Sequence, residues 1–185
     1  MIRRAFLALG LPAMAGPAMA QSFESMMEKP IVKAVREGDS DKVRRALLKG
    51  ESPNQIDSSG RTLLMVATDA GQRDIVDALL KGGAAVDVTD RDGYTPLIRA
   101  AEHGDDDIVG LLLGRHARPN AQTRQGLTAL MAAARAGSLE SCRLLLDSKA
   151  NPNLADFTGR TALGYARQGN RGAIEAMLRK AGGHE

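Results

Sequence analysis

Five sets of residues recur along this chain at one interval. Gly60, Gly93, Gly126 and Gly159 are each 33 residues apart, as are Thr62, Thr95, Thr128 and Thr161. Leu64, Leu97, Leu130 and Leu163 keep the same step, and so do Ala67, Ala100, Ala133 and Ala166. Leu79, Leu112, Leu145 and Leu178 complete the register. A period of about 20–50 residues marks a stacked-repeat architecture, where each unit touches only its neighbours and the assembly offers an extended surface in place of a single pocket.

The residues between the columns say what each unit is. Every T-x-L stretch reads as a helix start, because a Thr side chain accepts a hydrogen bond from an orphan N–H of the first turn. Pro96 falls just inside such a start, where its missing N–H costs nothing. Ala67, Ala100 with Ala101, and Ala132 to Ala134 keep the first helix slim enough for close packing. Gly71, Gly104 and Gly137 then supply the left-handed turn that ends it. A second helix follows, with Ile75, Val76, Leu79 and Leu80, then Ile108, Val109, Leu112 and Leu113, at helical spacing. Gly82-Gly83, Pro119-Asn120 and Pro152-Asn153 lead out into loops. One helix pair cannot bury its apolar face alone, so neighbouring pairs must stack.

The unit Asp90 to Gln122 reads DRDGYTPLIRAAEHGDDDIVGLLLGRHARPNAQ, and it resembles the ankyrin repeat nearly position for position. Units 57–89 and 123–155 follow it closely, 156–185 is a shortened C-terminal copy, and 24–56 is a degenerate first copy that keeps Ala34, Gly38, Val43, Leu47, Gly50 and Asn54 in register. The resemblance implies an all-α repeat solenoid, a stack of helix-turn-helix units joined by β-hairpin-like loops, over residues 21–185. One departure stands out: the family's T-P-L-H ends here in Met65, Ile98, Met131 or Gly164, never in His. The terminal units look like caps. Lys42 stands in the column of Ile75 and Ile108, Glu175 in that of Val76 and Val109, and Arg179 replaces the second Leu of the pair. That pattern predicts a complete array.

Residues 1–20 read as an address. Arg3 and Arg4 precede an apolar run from Ala5 to Met14, and Ala18-Met19-Ala20 offers a small-x-small cleavage site, as in a secretory signal peptide. The run is too short to span a membrane. Arg3-Arg4-Ala5-Phe6-Leu7 resembles part of a twin-arginine signal, but Ile2 and Ala8 stand where that signal has Ser and Lys, so unfolded export is the stronger expectation. Cleavage after Ala20 leaves 165 residues, five units of 33, with 23 basic and 22 acidic side chains. The precursor's basic isoelectric point therefore says little about partners. The expected compartment is a bacterial periplasm, with secretion second. One cysteine excludes an internal disulfide, so stability must come from stacking.

Little chemistry is expected. Cys142 lies in the column of Val43, Val76 and Val109, where a thiol behaves as a small hydrophobe. His103, His116 and His184 are too scattered to form a metal site. Asp105, Asp106 and Asp107 begin a helix, where acids complement its dipole. No G-x-x-x-x-G-K-[ST], G-x-S-x-G or H-E-x-x-H occurs. The expectation is no enzyme, no cofactor and no metal, with an undetected hydrolase as the enzyme alternative.

The positions that the period leaves free are the informative ones. In ankyrin proteins, partners are contacted mainly by loop tips and by the end of the first helix. The resemblance therefore assigns Ser59, Arg61, Arg91, Asp92, Tyr94, Arg124, Gln125, Leu127, Phe157 and Arg160 at the tips. It assigns Asp69, Glu102, His103, Arg135 and Gln168 at the helix ends. Tyr and Arg are enriched at binding hot spots. Arg61, Arg91, Arg124 and Arg160 would favour an acidic protein surface, while nucleic acid is disfavoured by Asp69, Asp92 and Glu102. The expected function is a monomeric, non-catalytic binding module of the bacterial cell envelope, engaging protein through loop tips and concave face. A protective, chaperone-like or immunity factor for an exported enzyme or toxin is the alternative, and a host-directed effector ranks below it.

Overall fold

The computed structural model describes residues 29–184. The expected signal peptide and its cleavage site lie outside the described residues. Among the described residues, ten short helices follow one another in five pairs: α1 (Pro30–Glu37) with α2 (Ser40–Leu48), α3 (Leu63–Asp69) with α4 (Arg73–Lys81), α5 (Pro96–His103) with α6 (Asp106–Gly114), α7 (Ala129–Ala136) with α8 (Leu139–Asp147), and α9 (Ala162–Gln168) with α10 (Gly172–Lys180). Among the described residues, the only β-type pairing is a pair of isolated antiparallel bridges, Ile56 with Thr62 and Ala155 with Thr161. These sit at the base of two hairpin-like fingers between helix pairs. No helix among the described residues is long and apolar enough to cross a membrane.

Local chemistry sets the boundaries. The Thr62, Thr95, Thr128 and Thr161 side chains accept the amides of Met65, Ile98, Met131 and Gly164 and so cap α3, α5, α7 and α9. The first helices end at Gly38, Gly71, Gly104 and Gly137, all left-handed, with φ between 64° and 85°. In the last unit Asn170 takes that place at φ 53°, since Asn tolerates the left-handed region better than other side chains.

Packing follows the columns. Leu79, Leu112, Leu145 and Leu178 are wholly buried, as are Ala67, Ala100, Ala133 and Ala166. Each fully buried leucine contributes roughly 1.5–3 kcal/mol. Met65, Ile98 and Met131, standing where the family has His, are also buried, so apolar packing replaces a side-chain hydrogen bond there. Cys142 is wholly buried, and burial, with a smaller contribution from the charge of Asp106, pushes its thiol up to about 12. It is a packing residue. At the ends, Lys42 is exposed and pairs with Asp39 and Glu37, and Arg179 pairs with Glu175.

Two polar links between units were not anticipated. Asn54, Asn120 and Asn153 each join two neighbouring units with both ends of one carboxamide. The Asn54 oxygen accepts the Ala85 amide at 2.7 Å while its nitrogen donates to the Gly83 carbonyl at 3.4 Å. Asn120 does the same with Asn151 and Lys149, and Asn153 with His184 and Gly182. Asp87 occupies the remaining place. It accepts the Arg118 amide and the Arg118 Nε, but a carboxylate has no hydrogen for the carbonyl. The second link is Asp106. Beyond standing in the first turn of α6, its Oδ1 accepts the Ser141 amide at 3.0 Å and the hydroxyls of Ser138 and Ser141, helping to cap α8 of the next unit.

The carbonyl partners of these clamps need left-handed backbone. Gly83 and Gly182 supply it freely, whereas Lys149 adopts φ 67° and His116, in the equivalent place, φ 62°. Two predictions follow from the packing and the backbone. Leu112→Ala will cost about 2–5 kcal/mol by opening a cavity. Lys149→Gly and His116→Gly will each add about 0.5–1 kcal/mol by relieving the left-handed strain. Equilibrium denaturant unfolding measures both.

Candidate functional site

Each finger is folded around one side chain. Asp57 Oδ1 accepts the amides of Ser59 and Arg61, both at 2.9 Å. Asp90 does so for Asp92 and Tyr94, and Asp156 for Thr158 and Arg160. In the fourth unit Thr123 takes the role, its hydroxyl accepting from Gln125 and Leu127. A glycine at φ 80–83° closes every finger, at positions 60, 93, 126 and 159. At Gly93 a side chain is excluded on a second ground, because a Cβ there would stand 3.0 Å from the Arg124 amide nitrogen of the next finger.

Successive fingers are joined through their backbones. The Arg124 amide donates to the Asp92 carbonyl, and the Phe157 amide to the Gln125 carbonyl, each at 2.9 Å. Fingers 90–94, 123–127 and 156–160 therefore form one strip. On it Arg91, Asp92, Arg124, Gln125 and Phe157 are exposed, Phe157 by 81 %. Among the described residues, neither the Arg91 nor the Arg124 guanidinium has a side-chain partner.

The other expected contact residues behave differently, because they bind one another. Arg61 bridges Asp57 and Asp69, both at 3.1 Å. Arg99 approaches Asp69 from the next unit at 3.9 Å, holds Asp90 at 2.9 Å and lies 3.6 Å from Glu102. Glu102 in turn binds Arg135 of the following unit. His103 stands 3.8 Å from Asp69. In the last unit Arg160 donates to Gln168 at 2.8 Å, and the Tyr165 hydroxyl donates to Asp156 at 2.7 Å. Two tyrosine rings stand beside this ladder. The Arg99 guanidinium lies 3.8 Å from the centre of Tyr94, and that of Arg160 lies 5.0 Å from the centre of Tyr165.

The assigned residues thus divide. Arg91, Asp92, Arg124, Gln125 and Phe157 form an open strip, whereas Arg61, Asp69, Glu102, His103, Arg135, Arg160 and Gln168 belong to the ladder. Ser59 is exposed, its hydroxyl donating to Asp57 at 2.6 Å and accepting from the Arg61 Nε at 3.1 Å. Tyr94 is half-buried under Arg99. Leu127 requires correction: it is 5 % exposed and packs in the core at the finger base, so an apolar side chain assigned to the contact surface is a structural one. The expectation of four arginines free for an acidic partner reduces to two. Arg99 and Tyr165, central to the ladder, were not assigned from the sequence. Their column reads Val66, Arg99, Ala132, Tyr165, and such variation beside invariant Leu and Ala columns was the available signal.

The finger carboxylates are strongly held. Burial pushes the Asp156 carboxyl up, but hydrogen bonds from Thr158 and Tyr165 and from the amides of Arg160 and Thr158 outweigh it and hold it down at about 2. Asp57 and Asp90 are also lowered, burial again being outweighed, by bonds from Ser59 and Arg61 and from Arg99 and Tyr94. A carboxyl with a depressed folded-state pKa contributes stability above its unfolded value near 4, and that contribution disappears as pH falls through the folded value. Thermal stability will therefore drop between about pH 4 and pH 2. Asp156→Asn, less stable at neutral pH, will show a shallower drop in a melting series across that window.

A family profile described as ankyrin repeats (3 copies) matches residues 31–123 and 100–184. No curated protein matches the sequence. The two matches together span the helix pairs, the capping threonines and the finger glycines described above, and the chain belongs to the ankyrin-repeat family.

Proposed function

We propose that this protein is a non-catalytic module of the bacterial cell envelope that binds another protein through the strip of fingers 90–94, 123–127 and 156–160. Ankyrin repeats are in general protein–protein interaction modules. The supporting observation is the strip itself: two partnerless arginines and a largely exposed phenylalanine stand on backbones tied to one another. Aromatic and Arg side chains dominate binding energies where they can be fully desolvated, and a surface ordered beforehand loses less entropy on association. Arg91 and Arg124 sit one unit apart, about 8–10 Å by the spacing of packed helices. The partner surface fitted to them is acidic, with an apolar recess for Phe157.

The ladder, in this reading, sets the shape of the neighbouring face and contributes little direct affinity, because its arginines already hold carboxylates. Placement in the envelope rests on the N-terminal sequence, Arg3-Arg4 followed by the apolar run and Ala18-Met19-Ala20.

A photoreactive amino acid at position 157, followed by crosslinking in intact cells and mass spectrometry, tests the module. The expected product is one dominant adduct with an envelope protein. The triple substitution Arg91→Ala, Arg124→Ala and Phe157→Ala will lower capture of that protein at least a hundredfold, while the unfolding free energy changes by no more than about 0.5 kcal/mol per site. Unchanged capture by the triple variant would rule the strip out.

A further inference from the structure

The series of backbone bonds between fingers stops one step short. By the 33-residue register, the bonds from Arg124 to Asp92 and from Phe157 to Gln125 have a counterpart from the Arg91 amide to the Ser59 carbonyl. That bond is absent among the described residues. The fingers are also further apart there. A Cβ at Gly93 or Gly126 would stand 3.0 Å from backbone of the following finger, whereas one at Gly60 meets nothing within 4 Å. The first finger closes on Asp57 through Ser59 and Arg61, as the last closes on Asp156 through Thr158 and Arg160. The stalks of the two fingers carry Ile56, 59 % exposed, and Val88, 40 % exposed.

An unused N–H and an unused C=O on neighbouring fingers that also carry exposed β-branched side chains are what the main chain of an extended peptide pairs with. We propose that the space between fingers 57–61 and 90–94 is a slot for an extended segment of the partner protein, hydrogen-bonded through its backbone to the Arg91 amide and the Ser59 carbonyl. Apolar side chains of that segment cover Ile56 and Val88, and a carboxylate answers the unpaired charge of Arg91. This inference rests on the binding-module reading and assigns it a second, main-chain mode of contact beside the side-chain strip.

The test uses the full processed chain, labelled with nitrogen-15, and a capped hexapeptide of alternating valine and glutamate as probe. Addition of peptide will slow exchange of the Arg91 amide hydrogen at least tenfold and shift the Ile56 and Val88 resonances. Residue 91 is the second position of the turn closed by the Gly93 amide on the Asp90 carbonyl, a place that accepts proline. Arg91→Ala removes the charge and will weaken peptide binding about fivefold. Arg91→Pro also removes the N–H and will weaken it about fivefold further, as expected for one hydrogen bond. Should the proline variant lose its native spectrum, Ile56→Ser with Val88→Ser is the second probe, with a loss of about tenfold. Equal binding by the Ala and Pro variants, or by the double Ser variant and the original, would overturn the slot. So would an Arg91 amide already protected without peptide, whether by the chain's own residues before 29 or, if protection grows with concentration, by a second copy. No binding at millimolar peptide would also overturn it. Shifts confined to Arg124 and Phe157 would sink the slot and leave the binding module standing.

Discussion

Leu79, Leu112, Leu145 and Leu178 are hidden from water only because another helix pair stands beside each of them. A pair of nine-residue or shorter helices has too little mass to enclose its own leucines, and helices this short are marginal in isolation. Stability therefore resides in contacts between units, and each unit is conditional on its neighbour. The slim first helices serve the same end. Wholly buried Ala67, Ala100, Ala133 and Ala166 let backbones approach where any larger side chain would hold them apart. In the first and last described units, columns that are apolar in the internal units carry Lys42 and Arg179, both exposed and both ion-paired.

On that frame the polar surface separates into two classes by whether its charges are already answered. The ladder from Arg61 through Asp69, Arg99 and Glu102 to Arg135 sets charge against charge across three units. Pairs as exposed as these contribute at most about 1 kcal/mol each, and salt weakens them. Their effect is positional: Arg99 and Arg160 are held over tyrosine rings, which restricts side chains that would otherwise sample many rotamers. The finger strip is the reverse. Its backbones are tied and its side chains are unpaired, which suits a surface whose bonds are completed by another molecule.

The fold was legible in the sequence because packing columns repeat. Thr, Gly, Ala and Leu recur at 33 because each solves the same local problem in every unit, and the capping bonds and left-handed glycines fall where the columns place them. The surface was less legible for the same reason. Residues outside the columns take their meaning from side chains 8 or 33 positions away, as Arg61 does from Asp69 and Arg135 from Glu102, and a single unit's pattern does not reveal that pairing. Leu127 shows the converse error, where a tip column, read by position, contained a core residue in one unit. Asp106 reads as an ordinary first-turn acid until the next unit's Ser138 and Ser141 are brought against it. The Asn54, Asn120 and Asn153 series was visible as a column, but nothing in the spacing said that both ends of each amide were in use.

Those carboxamides have a consequence for how such a chain can change length. Their partners are main-chain groups lying 29 and 31 residues downstream, so the joint recognises register and is indifferent to which side chains arrive. A spliced or duplicated segment of 33 residues with an asparagine in place mates with both its predecessor and its successor whatever its outward residues are. The rod can thus grow or shrink by whole modules while its decorated edge diversifies independently.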